Sequence, residues 1–184
     1  VATEPELQRL GVRDSKRISD GRILDIARAL QQICHHSLVT ISPRKYNELY
    51  PKFGNLNRLL AWGHARALEN LLEQVDCALA IADQFGDEQF ILNALLAKGK
   101  TVRLIQRPKA EEDLAVAAAS ILARAEFLRR LKRLSDEIGV TLPKGATTVE
   151  AAARMIIRYH GKEALERVAK LHFKTTKAVL REPT

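Results

Sequence analysis

Two short apolar runs constrain this chain most. Cys77-Ala78-Leu79-Ala80-Ile81-Ala82 is stopped by Asp83, and Thr101-Val102-Arg103-Leu104-Ile105 follows Lys98-Gly99-Lys100. Both have the length and the polar bounds of buried strands. A third run, Ser37-Leu38-Val39-Thr40-Ile41, ends at Ser42-Pro43 and reads the same way. Between the runs, apolar residues recur at helical period. Ile23, Ile26, Ala27 and Leu30 share one face of residues 21–32, and Leu59, Leu60, Gly63, Ala67, Leu68 and Leu71 share one face of residues 56–74. Residues 87–97 read as another helix. Strands separated by whole helices need crossover connections, so an α/β layer structure with parallel pairings is expected.

After residue 110 no strand-like run occurs. Leu114, Ala118, Ile121, Ala125, Leu128, Leu131 and Ile138 mark one long amphipathic helix, with Arg124, Arg130, Lys132 and Arg133 mostly off its apolar stripe. Leu142-Pro143-Lys144-Gly145-Ala146 breaks it. Thr147 or Thr148 opens a further helix through Tyr159, and a last one is predicted from about Lys162 to Lys170. At 184 residues, with 46% apolar and 28% charged side chains, the chain is sized for one single-core domain. No apolar stretch approaches the roughly 20 residues that cross a bilayer, so no membrane association and a cytoplasmic setting are expected. Cys34 and Cys77 are isolated in the sequence, which excludes a CxxC metal site; both are expected reduced and buried.

Charge is unevenly placed. Residues 1–123 hold 16 basic and 15 acidic groups, whereas residues 124–184 hold 14 and 7. The carboxyl-terminal third therefore suits a polyanion, although many basic helices merely present a solvated face.

Asp83 closes an apolar run, which puts its carboxylate at the carboxyl end of a strand, where open α/β sheets place ligands. It is a candidate metal ligand. Glu111, Glu112 and Asp113 crowd three carboxylates between a strand and the long helix. One of them could reach Asp83, or all could serve the helix dipole and have no further role. Hard divalent cations need only one or two carboxylates plus substrate phosphate oxygens, so acids from separate elements suffice. The histidines, His35, His36, His64, His160 and His172, lack metal-binding spacing and read as structural. No GxxxxGK[ST] loop, GxGxxG turn or serine elbow is present.

Seven words in order, Gly11-Val12-Arg13-Asp14-Ser15-Lys16, Asn55 to His64, Ala82-Asp83-Gln84-Phe85, Lys109-Ala110-Glu111, Ala115 to Arg124, Leu142 to Ala146 and Leu171-His172-Phe173, resemble bacterial type 3 ribonuclease H, across nearly the whole chain. The resemblance implies a ribonuclease H-like mixed sheet flanked by helices, with a helical basic carboxyl-terminal part over about 111–184. It also implies an endonuclease that cuts the RNA strand of an RNA/DNA hybrid with four acids around Mg²⁺ or Mn²⁺. By motif position Asp83 is the third acid and Glu111 the fourth, with Glu112 as the adjacent substitute. Lys16, Lys144 and the Gly145 amide become phosphate or sugar contacts.

The family's first two acids lie on amino-terminal strands that have no counterpart in these 184 residues. A missing amino-terminal segment of the same domain is thus an expected partner, alongside the hybrid, in an otherwise monomeric protein. A non-catalytic basic nucleic-acid-binding module is the alternative reading. A helix-turn-helix factor suits the basic end but not the strands.

Overall fold

In the computed structural model, which describes residues 3–145 and 148–181, two of the apolar runs pair in parallel. Strand β1 (Leu79–Asp83) lies beside β2 (Arg103–Arg107), with Leu79 opposite Arg103 and Asp83 opposite Arg107. Both strands begin two residues later than the apolar runs. Before β2, a 3-10 turn over Gly99–Thr101 takes up the start of the run.

The helices are α1 (Glu4–Arg9), α2 (Asp20–Ile33), α3 (Pro43–Phe53), α4 (Leu56–Leu72), α5 (Gln89–Ala94), α6 (Leu114–Ile138), α7 (Val149–His160), α8 (Leu165–Val168) and α9 (Lys174–Arg181). The chain divides into two compact units, one of residues 1–39 and 56–127, the other of residues 40–55 and 128–184.

In the first unit, α2 buries Ile23, Ile26, Ala27 and Leu30, the residues its period selects. Ala61 and Ala65 of α4 are small enough for α5 to approach closely, and they bury Ile91 and Leu95 together with Ala82 of β1 and Leu104 of β2. Glu69 of α4 is buried and accepts the amides of Leu96 (2.7 Å) and Gly99 (2.8 Å), which closes the α5–β2 connection onto α4.

In the second unit, Ile138, Val140, Ala152, Ile156, Ala164 and Leu165 form the core. Asn47 on α3 ties in the α8–α9 connection: its side chain donates to the carbonyls of Glu166 (3.2 Å) and Ala169 (2.9 Å) and accepts the amide of Leu171 (3.0 Å).

Some expectations are corrected. Residues 37–41 form no strand, because none of the described residues offers them a ladder partner. Ser42 and Pro43 instead start α3: the Ser42 hydroxyl accepts the Lys45 amide at 3.2 Å, and Pro43 takes the first turn. The helix expected over 162–170 is a 3-10 turn (Lys162–Ala164) followed by the short α8, entered from Gly161 at φ 81°. Cys77 is exposed and Cys34 half-buried; both are free thiols, and Cys77 stands in the open approach to β1 instead of inside the strand. Thr148 precedes α7; Ala146 and Thr147 lie outside the described residues. Among the described residues no helix is long and apolar enough to cross a membrane.

Candidate active site

The carboxyl end of β1 delivers Asp83 to solvent, and the ladder continues one step further through the Gln84 amide, which donates to the Arg107 carbonyl at 3.1 Å. The chain leaving β2 then bends back. Lys109 adopts a left-handed conformation (φ 56°), uncommon for a residue with a Cβ, and opens a 3-10 turn over Ala110–Glu112. That bend aims the buried Ala110 amide at Asp83, donating to Oδ1 at 3.2 Å. Glu111 is the next residue. Two acids 28 positions apart in the chain are thereby gathered at one end of the strand pair.

The three adjacent carboxylates have different tasks. Asp113 caps α6: its Oδ1 accepts the Ala115 amide at 2.9 Å. Glu112 is exposed. Glu111 is partly covered and has Lys16 beside it, with the ammonium 3.6 Å from Oε1. Lys16 is largely exposed, so the pair contributes little to stability; what matters is where the cation is held. Its turn, Ser15–Arg17, is anchored from both sides. The Asp14 side chain accepts the Lys16 amide (2.9 Å), and the buried Ser15 hydroxyl meets that of Ser120 on α6 at 2.6 Å. Arg124 of α6 donates to the Ser15 carbonyl and to Asp20 Oδ1, the latter at 2.8 Å. Arg124 thus holds this turn and is not directed outward, as its place off the apolar stripe suggests.

His64 is a neighbour that spacing arguments missed. Its ring on α4 lies 5.0 Å from that of Phe85, two residues after Asp83. Desolvation holds the imidazole below its usual pKa, and the Asp83 charge opposes this. The only signal in the sequence is its position within the Asn55–His64 word. Gly86, next in the same loop, passes Asn57 of α4 so closely that a Cβ would sit 2.9 Å from the amide nitrogen. The loop after Asp83 is therefore held by α4 at two points.

Asp83, Glu111 and Lys16 belong to the first unit, whereas Lys144 and Gly145 belong to the second, in the turn between α6 and α7. A Cβ at Gly145 would meet nothing within 4 Å, so its backbone is open on that side. Among the described residues no three metal-binding side chains cluster. Two carboxylates at one strand end are nonetheless the hard oxygen donors that a divalent cation shares with substrate phosphates, so the residues fit part of such a site.

A family model described as Ribonuclease HII matches residues 1–176. The chain is 49% identical over 176 residues to ribonuclease HIII of Protochlamydia amoebophila, covering 95% of this chain and 58% of that protein. It is 46% identical over 167 residues to ribonuclease HIII of Chlamydia pneumoniae, covering 89% of this chain and 56% of that protein. Among solved structures, Bst ribonuclease HIII in complex with Mn²⁺ superposes with a TM-score of 0.87 at 33% identity over 96% of this chain and 59% of that one. Aquifex aeolicus ribonuclease H3 superposes with a TM-score of 0.69 at 31% identity, over 92% and 61% of the respective chains. The chain thus spans somewhat more than half the length of these relatives.

Proposed function

The chain belongs to the ribonuclease HII family, and on that premise we propose that it is the catalytic part of a metal-dependent endonuclease that hydrolyses the RNA strand of RNA/DNA hybrids. The observation that carries this reading is the hydrogen bond from the Ala110 amide to Asp83, which joins the Glu111-bearing turn to the end of β1. Asp83 and Glu111 hold the cations, with Glu112 as the adjacent substitute for Glu111. Mg²⁺ or Mn²⁺ bound there supplies Lewis-acid polarisation of the scissile phosphate and stabilises the leaving oxygen. The Ala110 amide occupies one oxygen of Asp83 and so fixes the direction of the other.

Lys16 stands beside Glu111, which supports the reading that its ammonium takes a substrate phosphate. Lys144 and the Gly145 amide take phosphate or sugar contacts. Sorting RNA from DNA then rests on the 2′-hydroxyl and on duplex shape, because a general hybrid nuclease does not read base edges.

The remaining acids come, in this proposal, from an amino-terminal segment of the same ribonuclease H-like domain, and the complete protein acts in the cytoplasm as a monomer. Two observations support the segment. Leu79 at the start of β1 is 47% exposed although its neighbours along the strand are apolar, and the two strands pair only with each other among the described residues.

The test is cleavage of a labelled RNA/DNA hybrid by the intact protein with Mg²⁺ or Mn²⁺. Asp83→Asn and Glu111→Gln are each expected to lower the rate by about a hundredfold or more. Full activity in either variant overturns the assignment of that acid. Tight, metal-indifferent binding without any product would point to the non-catalytic module, which the basic second unit favours.

A further inference from the structure

The second unit gathers its aromatic rings and a set of cations in one place. Tyr46 and Tyr50 on α3 stack with centroids 5.7 Å apart. His172 lies 4.0 Å from Tyr50 and 5.5 Å from Tyr46, and Phe173 follows 4.2 Å from His172. The rings form a cluster with a covered side and an open one, since Tyr46 is 4% exposed and Phe173 is 43% exposed. Lys170 leans across it, with its ammonium 4.6 Å from the Tyr46 centroid and 6.0 Å from that of Phe173. The turn that makes this possible is fixed by Asn47 and by the Lys170 carbonyl, which accepts the Thr176 hydroxyl at 3.2 Å.

The segment that carries His172 and Phe173 has charge of one sign. From Arg167 to Arg181 the chain holds Arg167, Lys170, Lys174, Lys177 and Arg181 and no acid. Lys174, Lys177 and Arg181 recur at helical spacing on α9, so they share a face, and all three are exposed. The charges that act on His172 are those of Lys170 and Lys177; with desolvation as the larger cause, they hold its imidazole below the usual pKa. Like charges on one helix face repel mildly, and a bound anion relieves that repulsion.

We propose that this surface binds single-stranded nucleic acid, with an unpaired base stacked on the open Phe173 ring while Lys170, Lys174 and Lys177 take the flanking phosphates. An aromatic ring flanked by cations matches a base flanked by phosphates, and each base offers a ring face whatever its sequence. A duplex cannot use the ring in this way, because its bases are already stacked on one another. The inference rests on nucleic acid being the substrate of the proposed enzyme, but none of its residues belongs to the unit that holds Asp83 and Glu111.

The experiment is binding of a fluorescent oligothymidylate to the intact protein without divalent metal, across a salt series. Binding is expected to weaken steeply with salt. The combined variant Lys170→Gln, Lys174→Gln, Lys177→Gln should lower the log–log salt slope by about 2, since each phosphate contact on a single strand contributes roughly 0.7. Phe173→Leu should bind about tenfold more weakly at an unchanged slope. Phe173→Trp should retain affinity, and its added emission should be quenched by the strand. An unchanged slope in the triple variant, or emission of the Trp variant indifferent to the strand, overturns the proposal even if Phe173→Leu does not fold. A protein that binds oligothymidylate in this way but cuts no hybrid would end the nuclease reading and leave this one standing; cleavage with no such binding would do the reverse.

Discussion

Asp113 and Glu111 are two residues apart and have separable roles, and substitution can pull them apart. Asp113→Ala removes the cap on α6 and should lower stability by about 1 kcal/mol in urea denaturation while cleavage persists. Glu111→Gln should lower cleavage by about a hundredfold or more and leave the urea midpoint almost unchanged, because its partner Lys16 is mostly in water. His172 gives a second residue-level prediction. Its pKa is lowered in the folded protein, so at mildly acidic pH the unfolded chain binds the extra proton more readily. Its contribution to stability is complete above the ordinary histidine value of 6.5 and is lost as pH falls through the lowered one. The melting temperature should therefore drop between about pH 7 and pH 5, and drop less in His172→Gln. A slope that is the same in both proteins would show that the ring does not titrate in this way. Asp83 was legible in the sequence because an apolar run points straight at it. Spacing alone does not separate Glu111, Glu112 and Asp113, since one residue of register decides which becomes the cap; the left-handed turn at Lys109 precedes the register in which Asp113 does.

Elements were read well where one face is buried against a neighbour. The residues buried on α2 and the extent of α6 follow from period alone, whereas α4 buries Leu59, Ala61, Ala65, Glu69 and Leu72, and Leu60 of its expected face is 42% exposed. Periodicity failed where a partner is needed: residues 37–41 are apolar enough for a strand and have none to pair with among the described residues. It failed again at α3, whose Ser42-Pro43 start was read as the stop of the preceding run. The connection from α5 to β2 is fastened to α4 by Glu69, a carboxylate that accepts the amides of Leu96 and Gly99. Glu69→Ala would leave two covered amides unsatisfied and should cost about 2–4 kcal/mol in urea denaturation, with Glu69→Gln costing less because it keeps an acceptor. Gly99→Ala should destabilise by the same route, because its Cβ would lie 2.6 Å from the Glu69 carboxylate oxygen. A melting curve for Glu69→Ala that overlays the parent would show that water satisfies both amides instead.

At the scale of the whole molecule, net charge overstates the attraction for a polyanion. Arg124 is engaged by Ser15 and Asp20, and Lys132 and Arg133 pair with Asp136 and Glu137 along α6. The stretch from Arg167 to Arg181, which lacks acids, is where the excess concentrates. Metal should also act globally: paired carboxylates repel, so Mg²⁺ that binds the folded state should raise the melting temperature, by the equivalent of about 2.7 kcal/mol at a hundredfold excess over its Kd. That rise should vanish in the Asp83→Asn, Glu111→Gln double variant; if it persists there, the cation binds elsewhere. The second unit, finally, is assembled from two separate stretches of chain, residues 40–55 and 128–184. No single contiguous gene fragment can encode it without also carrying the intervening sequence. A single protease nick within residues 56–127 would therefore divide this unit into two fragments that only their mutual packing holds together.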